Sequence, residues 1–174
     1  MEKIAVFGSA FNPPTIGHQS VIESLTHFDR IVLVPSIAHA WGKEMVDYEV
    51  RCRLIEAFIA DLSLPQAQLA TVEKELLQPG QSVTTYAVLS FLQAQWPEAE
   101  LTFVIGPDNL FQFSQFYRAQ DILQRWSVMA CPEKIKVRST DIRYAVQEKK
   151  DISELTTPRV AALITQLNCY RIAS

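Results

Sequence analysis

Two short strings in this chain hold the residue types that handle phosphate. The first is Gly8-Ser9-Ala10-Phe11-Asn12-Pro13-Pro14-Thr15-Ile16-Gly17-His18, which follows an apolar run and precedes a helical pattern. It is neither the GxxxxGK[ST] of a P-loop nor a GxGxxG dinucleotide turn. Gly8 and Ser9 permit a tight exit from a strand, the paired prolines stiffen the loop, and Gly17-His18 open a helix. Free backbone N–H groups and the dipole at a helix start favour an anion there. His18 adds a side-chain donor at the same point. A rigid strand–helix connection with an incidental histidine accounts poorly for a loop of this length and content.

The second string is Arg138-Ser139-Thr140-Asp141-Ile142-Arg143. Two hydroxyls and the free amides of a new helix make a second anion cradle, and Arg143, one turn in, adds a fork of charged donors. Alone, the string reads more simply as a Ser/Thr cap followed by a surface arginine. Paired with the first, it reads as the other half of a phosphate site.

The elements that must position these strings follow from pattern. The chain has 174 residues, with 16 Lys+Arg against 19 Asp+Glu, and is 48% hydrophobic. That is enough for a real core and excludes disorder. A net charge of −3 gives no chain-wide attraction to polyanions, so nucleic acid is not the expected partner. Cys52, Cys131 and Cys169 lie far apart without a CxxC pair, as buried thiols of a reducing compartment do. No signal-peptide core or membrane-length apolar run stands out, so a cytoplasmic location is expected.

Ile4–Phe7, Ile31–Val34, Leu101–Ile105 and Trp126–Cys131 read as strands, with a weaker one at Leu69–Val72. Helical patterns alternate with them. One places Val21, Ile22 and Leu25 on a face; another follows Asp47, with Val50, Leu54, Phe58 and Ile59 inward. A third follows Ser82 and carries Val88, Leu89 and Leu92. Two more start near Ser139-Thr140 and at Thr157-Pro158. The alternation predicts one open, doubly wound α/β domain over residues 1–174, with its ligand beyond the carboxyl ends of the strands.

The first string resembles the signature of the HxGH nucleotidylyltransferase superfamily, with Thr15-Ile16-Gly17-His18 where bacterial members have HxGH. Phe11-Asn12-Pro13-Pro14-Thr15 is similar to the FNPxT form of eukaryotic nicotinamide mononucleotide adenylyltransferases. Arg138–Arg143 resembles the family's [I]SSTxIR. Gly106-Pro107-Asp108 looks like its GxD, and Phe113–Tyr117 like its LPxWY-type segment, with Phe116 in place of Trp. Gln81–Tyr86 is similar to PSYTxDT at Ser82 and Thr84. Val34-Pro35-Ser36 with Lys43 is similar to the VPxxxxxxK loop, and Trp41 lies beside that lysine.

The resemblance implies a Rossmann-like, mostly parallel sheet and adenylyl transfer from ATP to nicotinate or nicotinamide mononucleotide. It implies ATP contacts from Gly8, Ser9, Phe11, Thr15, His18, Gly106, Asp108, Ser139, Thr140 and Arg143. Asn12, Lys43, Thr84 and Phe116 would face the mononucleotide, and His18, Lys43 and Arg143 would be catalytic. Magnesium would ride on the triphosphate; His27 and His39 lack metal-site spacing. Transfer to phosphopantetheine, use of CTP, and a non-catalytic nucleotide sensor are the alternatives. Between Pro132 and Ser139 the chain has only six residues, where bacterial members carry a longer excursion.

Overall fold

The computed structural model describes residues 1–37 and 45–171. Five strands form one parallel sheet: β1 (Lys3–Ser9), β2 (Arg30–Pro35), β3 (Ala67–Leu69), β4 (Glu100–Ile105) and β5 (Ser127–Ala130). Their order is β3-β2-β1-β4-β5. The chain moves outward from β1 to β3 and then returns to the other side of β1. The connections after β1 and β4 therefore leave in opposite directions, and a crevice opens between them.

The helices are α1 (Ile16–Glu23), α2 (Tyr48–Leu62), α3 (Val72–Leu76), α4 (Thr85–Gln95), α5 (Pro107–Phe111), α6 (Ala119–Arg125), α7 (Ser139–Gln147) and α8 (Pro158–Gln166). Strand residues alternate between two cores. Ala5, Phe7, Ile31 and Leu33 pack under α1, α2, α7 and α8. Ile4, Val6, Val32 and Val34 pack under α3, α4 and α6. Both faces are covered, which is why the strands are continuously apolar and not alternating. Cys52, Cys131 and Cys169 are buried free thiols. No helix among the described residues is long and apolar enough to cross a membrane.

Several boundaries differ from expectation. The expected strand Leu69–Val72 is Ala67–Leu69, and Val72 instead opens α3 and turns into the second core. The helix expected after Ser82 begins at Thr85, and Thr84 caps it, its hydroxyl accepting the Ala87 N–H at 3.1 Å. Asp47 and Thr157 do precede α2 and α8, but neither side chain makes a capping bond. The aromatic-rich stretch between β4 and β5 folds as α5, a 3₁₀ turn over Phe113–Gln115, and α6.

Candidate active site

A cleft of about 720 Å³ opens at the carboxyl ends of β1, β4 and β5. Its lining includes Gly8, Ser9, His18, Gly106, Asp108 and Ser139, six of the expected ATP residues, brought together from four segments of the chain. A Cβ on Gly106 would meet nothing within 4 Å, and one on Gly8 would make only ordinary contacts. Neither glycine is demanded by the backbone; their missing side chains leave the cleft floor clear.

His18 stands at the third position of α1, and two atoms fix its ring. The Thr15 backbone N–H donates to Nδ1 at 3.0 Å, which makes Nδ1 the acceptor and leaves the proton on Nε2. Nε2 faces Ser9 Oγ at 3.1 Å. Thr15 Oγ1 accepts the His18 backbone N–H at 3.1 Å and donates to the Val137 carbonyl at 3.0 Å. Thr15 and His18 thus cap α1 reciprocally. The ring also packs against Phe11, with centroids 4.8 Å apart. Only part of the ring's area is covered, but its nitrogens are turned to protein, and their desolvation pushes the pKa down to about 4. The histidine is a neutral Nε2–H donor at neutral pH.

The six residues 133–138 are themselves a wall of the cleft, with Glu133, Lys136, Val137 and Arg138 in its lining. Helix α1 pins them down. Ser20 Oγ accepts the N–H groups of Lys134 at 3.1 Å and Ile135 at 3.3 Å. Gly17 lets the loop close on the helix: a Cβ there would drive into the Val137 carbonyl and stand 3.1 Å from that of Ile135. A short connection is enough because α1 carries the small residues that let it lie flat.

Helix α7 closes the other side. Arg138 is its N-cap residue, and the Asp141 carboxylate accepts the Arg138 N–H at 2.8 Å. Ser139 and Thr140 therefore occupy the first turn. Ser139 Oγ donates to the Pro13 carbonyl at 2.7 Å. Arg143 donates from Nη1 to the Asn12 carbonyl at 2.8 Å and from Nη2 to Thr140 Oγ1 at 3.2 Å. The two phosphate-type strings, distant in sequence, are bonded directly to each other.

Other expected residues are placed differently. The Phe11 ring is fully buried, in a left-handed backbone conformation at φ 49°, so it can offer a ligand only its main chain. The Asn12 side chain is also buried, its Oδ1 accepting from Tyr170 OH at 2.7 Å. Thr15 spends its hydroxyl on the cap and on Val137. Thr84 spends its hydroxyl on α4. Phe116 is half-buried against Phe113 and Phe103, on the sheet face away from His18. Neither Thr84 nor Phe116 lines the cleft. Lys43, Trp41 and His39 lie outside the described residues.

Sequence reasoning passed over Lys136, which brings positive charge to the cleft, and left Arg138 without a role. The alternation Lys134, Lys136, Arg138 just before a helix start was the available signal. A second cavity, of about 750 Å³ between α7 and α8, is lined by Lys149, Lys150 and Arg171 and holds none of the expected residues. The cleft with the converging donors is the candidate site.

A switch-point cleft flanked by two helix N-termini, a histidine and basic side chains has the donors that suit an anionic ligand. Residues 6–157 match the cytidylyltransferase-like family, and the chain belongs to it. More particularly, it is 56% identical to a crystal structure assigned to a nicotinate-nucleotide adenylyltransferase of Vibrio parahaemolyticus, with a TM-score of 0.86 over 95% of this chain and 99% of that one. A protein of the same assignment from Myxococcus xanthus is 28% identical, over 97% of this chain and 94% of its own. The Plasmodium falciparum nicotinic acid mononucleotide adenylyltransferase complexed with NaAD shares the fold, with a TM-score of 0.78 at 15% identity, covering 98% of each chain.

Proposed function

We infer that the chain catalyses adenylyl transfer from ATP to nicotinate mononucleotide, giving the dinucleotide and pyrophosphate in NAD biosynthesis. A 5′-phosphate oxygen of the mononucleotide attacks the α-phosphorus of ATP in line. The bond from that phosphorus to the bridging oxygen breaks, and pyrophosphate leaves with the electron pair. No covalent enzyme intermediate is needed, so the protein's work is positioning and charge stabilisation.

The observation that carries this reading is the His18 ring, held as an Nε2–H donor by the Thr15 N–H and aimed across the cleft at Ser9. A phosphate oxygen takes the place of Ser9 Oγ as acceptor. The donor needs no reorientation as charge grows on the α-phosphate. Ser139, Thr140 and Arg143 receive the β- and γ-phosphates at the start of α7, with Lys136 and Arg138 adding charge. Thr15, Asn12 and Phe11 act behind the loop, as its supports. Lys43 and Phe116 serve the mononucleotide. Magnesium would enter bound to ATP and offset phosphate charge, and Asp108 and Glu133 in the cleft lining are the carboxylates that could hold it.

The nicotinate form is chosen over the amide on the assignment of the relatives. Chromatography of reactions with ATP and either nicotinate or nicotinamide mononucleotide tests it. Faster formation of the nicotinate dinucleotide, with equimolar pyrophosphate, is expected. Turnover only with phosphopantetheine, turnover only with CTP, or ATP binding without product would each overturn the reading.

A further inference from the structure

Arg51 is 1% exposed, yet it is a cation in the core. It lies in the first turn of α2 and is not among the expected site residues. Its guanidinium collects backbone carbonyls from three places. Nη1 donates to Ala10 O at 2.9 Å and to Ser36 O at 2.6 Å. Nη2 donates to Ile37 O at 3.4 Å, and Nε donates to Val46 O at 3.0 Å. The Tyr48 ring lies 5.5 Å away. Glu73 grips the same peptide region from the other side, its Oε1 accepting the Ile37 N–H at 3.2 Å.

These carbonyls are not a random set. Ala10 belongs to the loop that carries Ser9 and leads to His18. Ser36, Ile37 and Val46 are the two ends of the connection between β2 and α2, the one that contains Lys43. We propose that Arg51 is a positioning residue of the reaction: its guanidinium ties the loop that carries Ser9 and leads to His18 to Ser36, Ile37 and Val46, so that Ser9 and His18 are held in register for the substrates. Only a planar fork with five donors can span that many oxygens. A lysine in its place offers one nitrogen and leaves buried carbonyls without partners.

The inference rests on adenylyl transfer as the reaction, and the experiment separates the two. Arg51→Lys and Arg51→Gln are compared with Leu54→Ala, which removes core packing in the same helix but no hydrogen bond. Melting temperature, kcat and both KM values are measured well below every melting point. Arg51→Lys is expected to lose about 10²-fold in kcat, with a smaller drop in melting temperature than Leu54→Ala. Leu54→Ala is expected to keep kcat within about twofold. Arg51→Gln, which buries no charge, carries the same expectation should the lysine variant not fold. Loss of kcat in all variants in step with melting temperature would make Arg51 merely structural and overturn the proposal, as would an Arg51 variant with kcat within about threefold of wild type. Wild-type protein that forms no dinucleotide refutes the reaction itself.

Discussion

The two halves of the site are built in different ways. The proposed phosphate half is wired by the protein itself: Thr15 caps α1 and sets the His18 tautomer, Ser139 holds Pro13, and Arg143 holds Asn12. Thr84 and Phe116, expected at the mononucleotide, take part in none of these bonds. Phe116 leans on Phe103 and Phe113, and Thr84 caps a helix. Charge stabilisation demands donors that do not reorganise during the reaction. Recognition of a ring needs only an apolar surface within reach. The difference shows where this fold invests its rigidity.

Substitutions should therefore hurt in different currencies on the two sides. The largest effect belongs to His18→Ala, expected to lower kcat by ~10²–10³ while ATP affinity changes little. Steady-state kinetics beside ATP calorimetry checks it; a near-normal kcat would remove the distinction between the halves.

Arg143→Ala comes next, expected to weaken ATP and pyrophosphate binding by roughly 2–4 kcal/mol, and Arg143→Lys by less. AMP, which lacks the outer phosphates, should bind all three versions alike. If AMP suffers equally, the bond from Arg143 to Asn12 is only a brace for the loop.

Gly17→Ala probes the wiring itself. The carbonyls of Val137 and Ile135 have to retreat from the new methyl, at a cost of about 1–3 kcal/mol in stability. Thermal unfolding reads it, and an unchanged midpoint would show that the 133–138 wall is free to swing.

The smallest effect is expected on the looser side. Phe116→Ala should raise KM for the mononucleotide by an amount on the order of 1 kcal/mol beyond lost area, with KM for ATP nearly constant. Equal damage to both constants, with a lower melting point, would place Phe116 in the core and not against the pyridine ring.

How much of this the sequence made legible follows the same division. Strand–helix alternation gave the sheet, since its strands are buried on both faces and read as apolar runs. The two phosphate strings were legible because helix starts advertise themselves in hydroxyls and glycine. Their direct bonding to each other was not, since nothing in residue type says that Ser139 Oγ meets the Pro13 carbonyl. Thr15 illustrates the limit well. The resemblance puts Thr15 among the ATP contacts, whereas its hydroxyl and N–H serve the cap and the His18 ring. Arg51 escaped notice because an arginine in an amphipathic helix normally marks the solvent face, and only tertiary packing reveals carbonyls waiting for it.

The central claim is that His18 enters the reaction as a neutral imidazole protonated on Nε2. Nitrogen NMR of protein labelled in its histidine rings tests this directly, with His18→Ala used to assign the signals. An ordinary histidine titrates near 6.5, and burial has lowered His18 to about 4, so its ring is expected to stay neutral from pH 8 down to about pH 5 and to gain a proton only below that. Across that range Nε2 should carry the proton and Nδ1 should not. A non-hydrolysable ATP analogue should then shift Nε2 and leave Nδ1 almost unmoved. A ring that titrates near 6.5, or one protonated on Nδ1, would contradict the account.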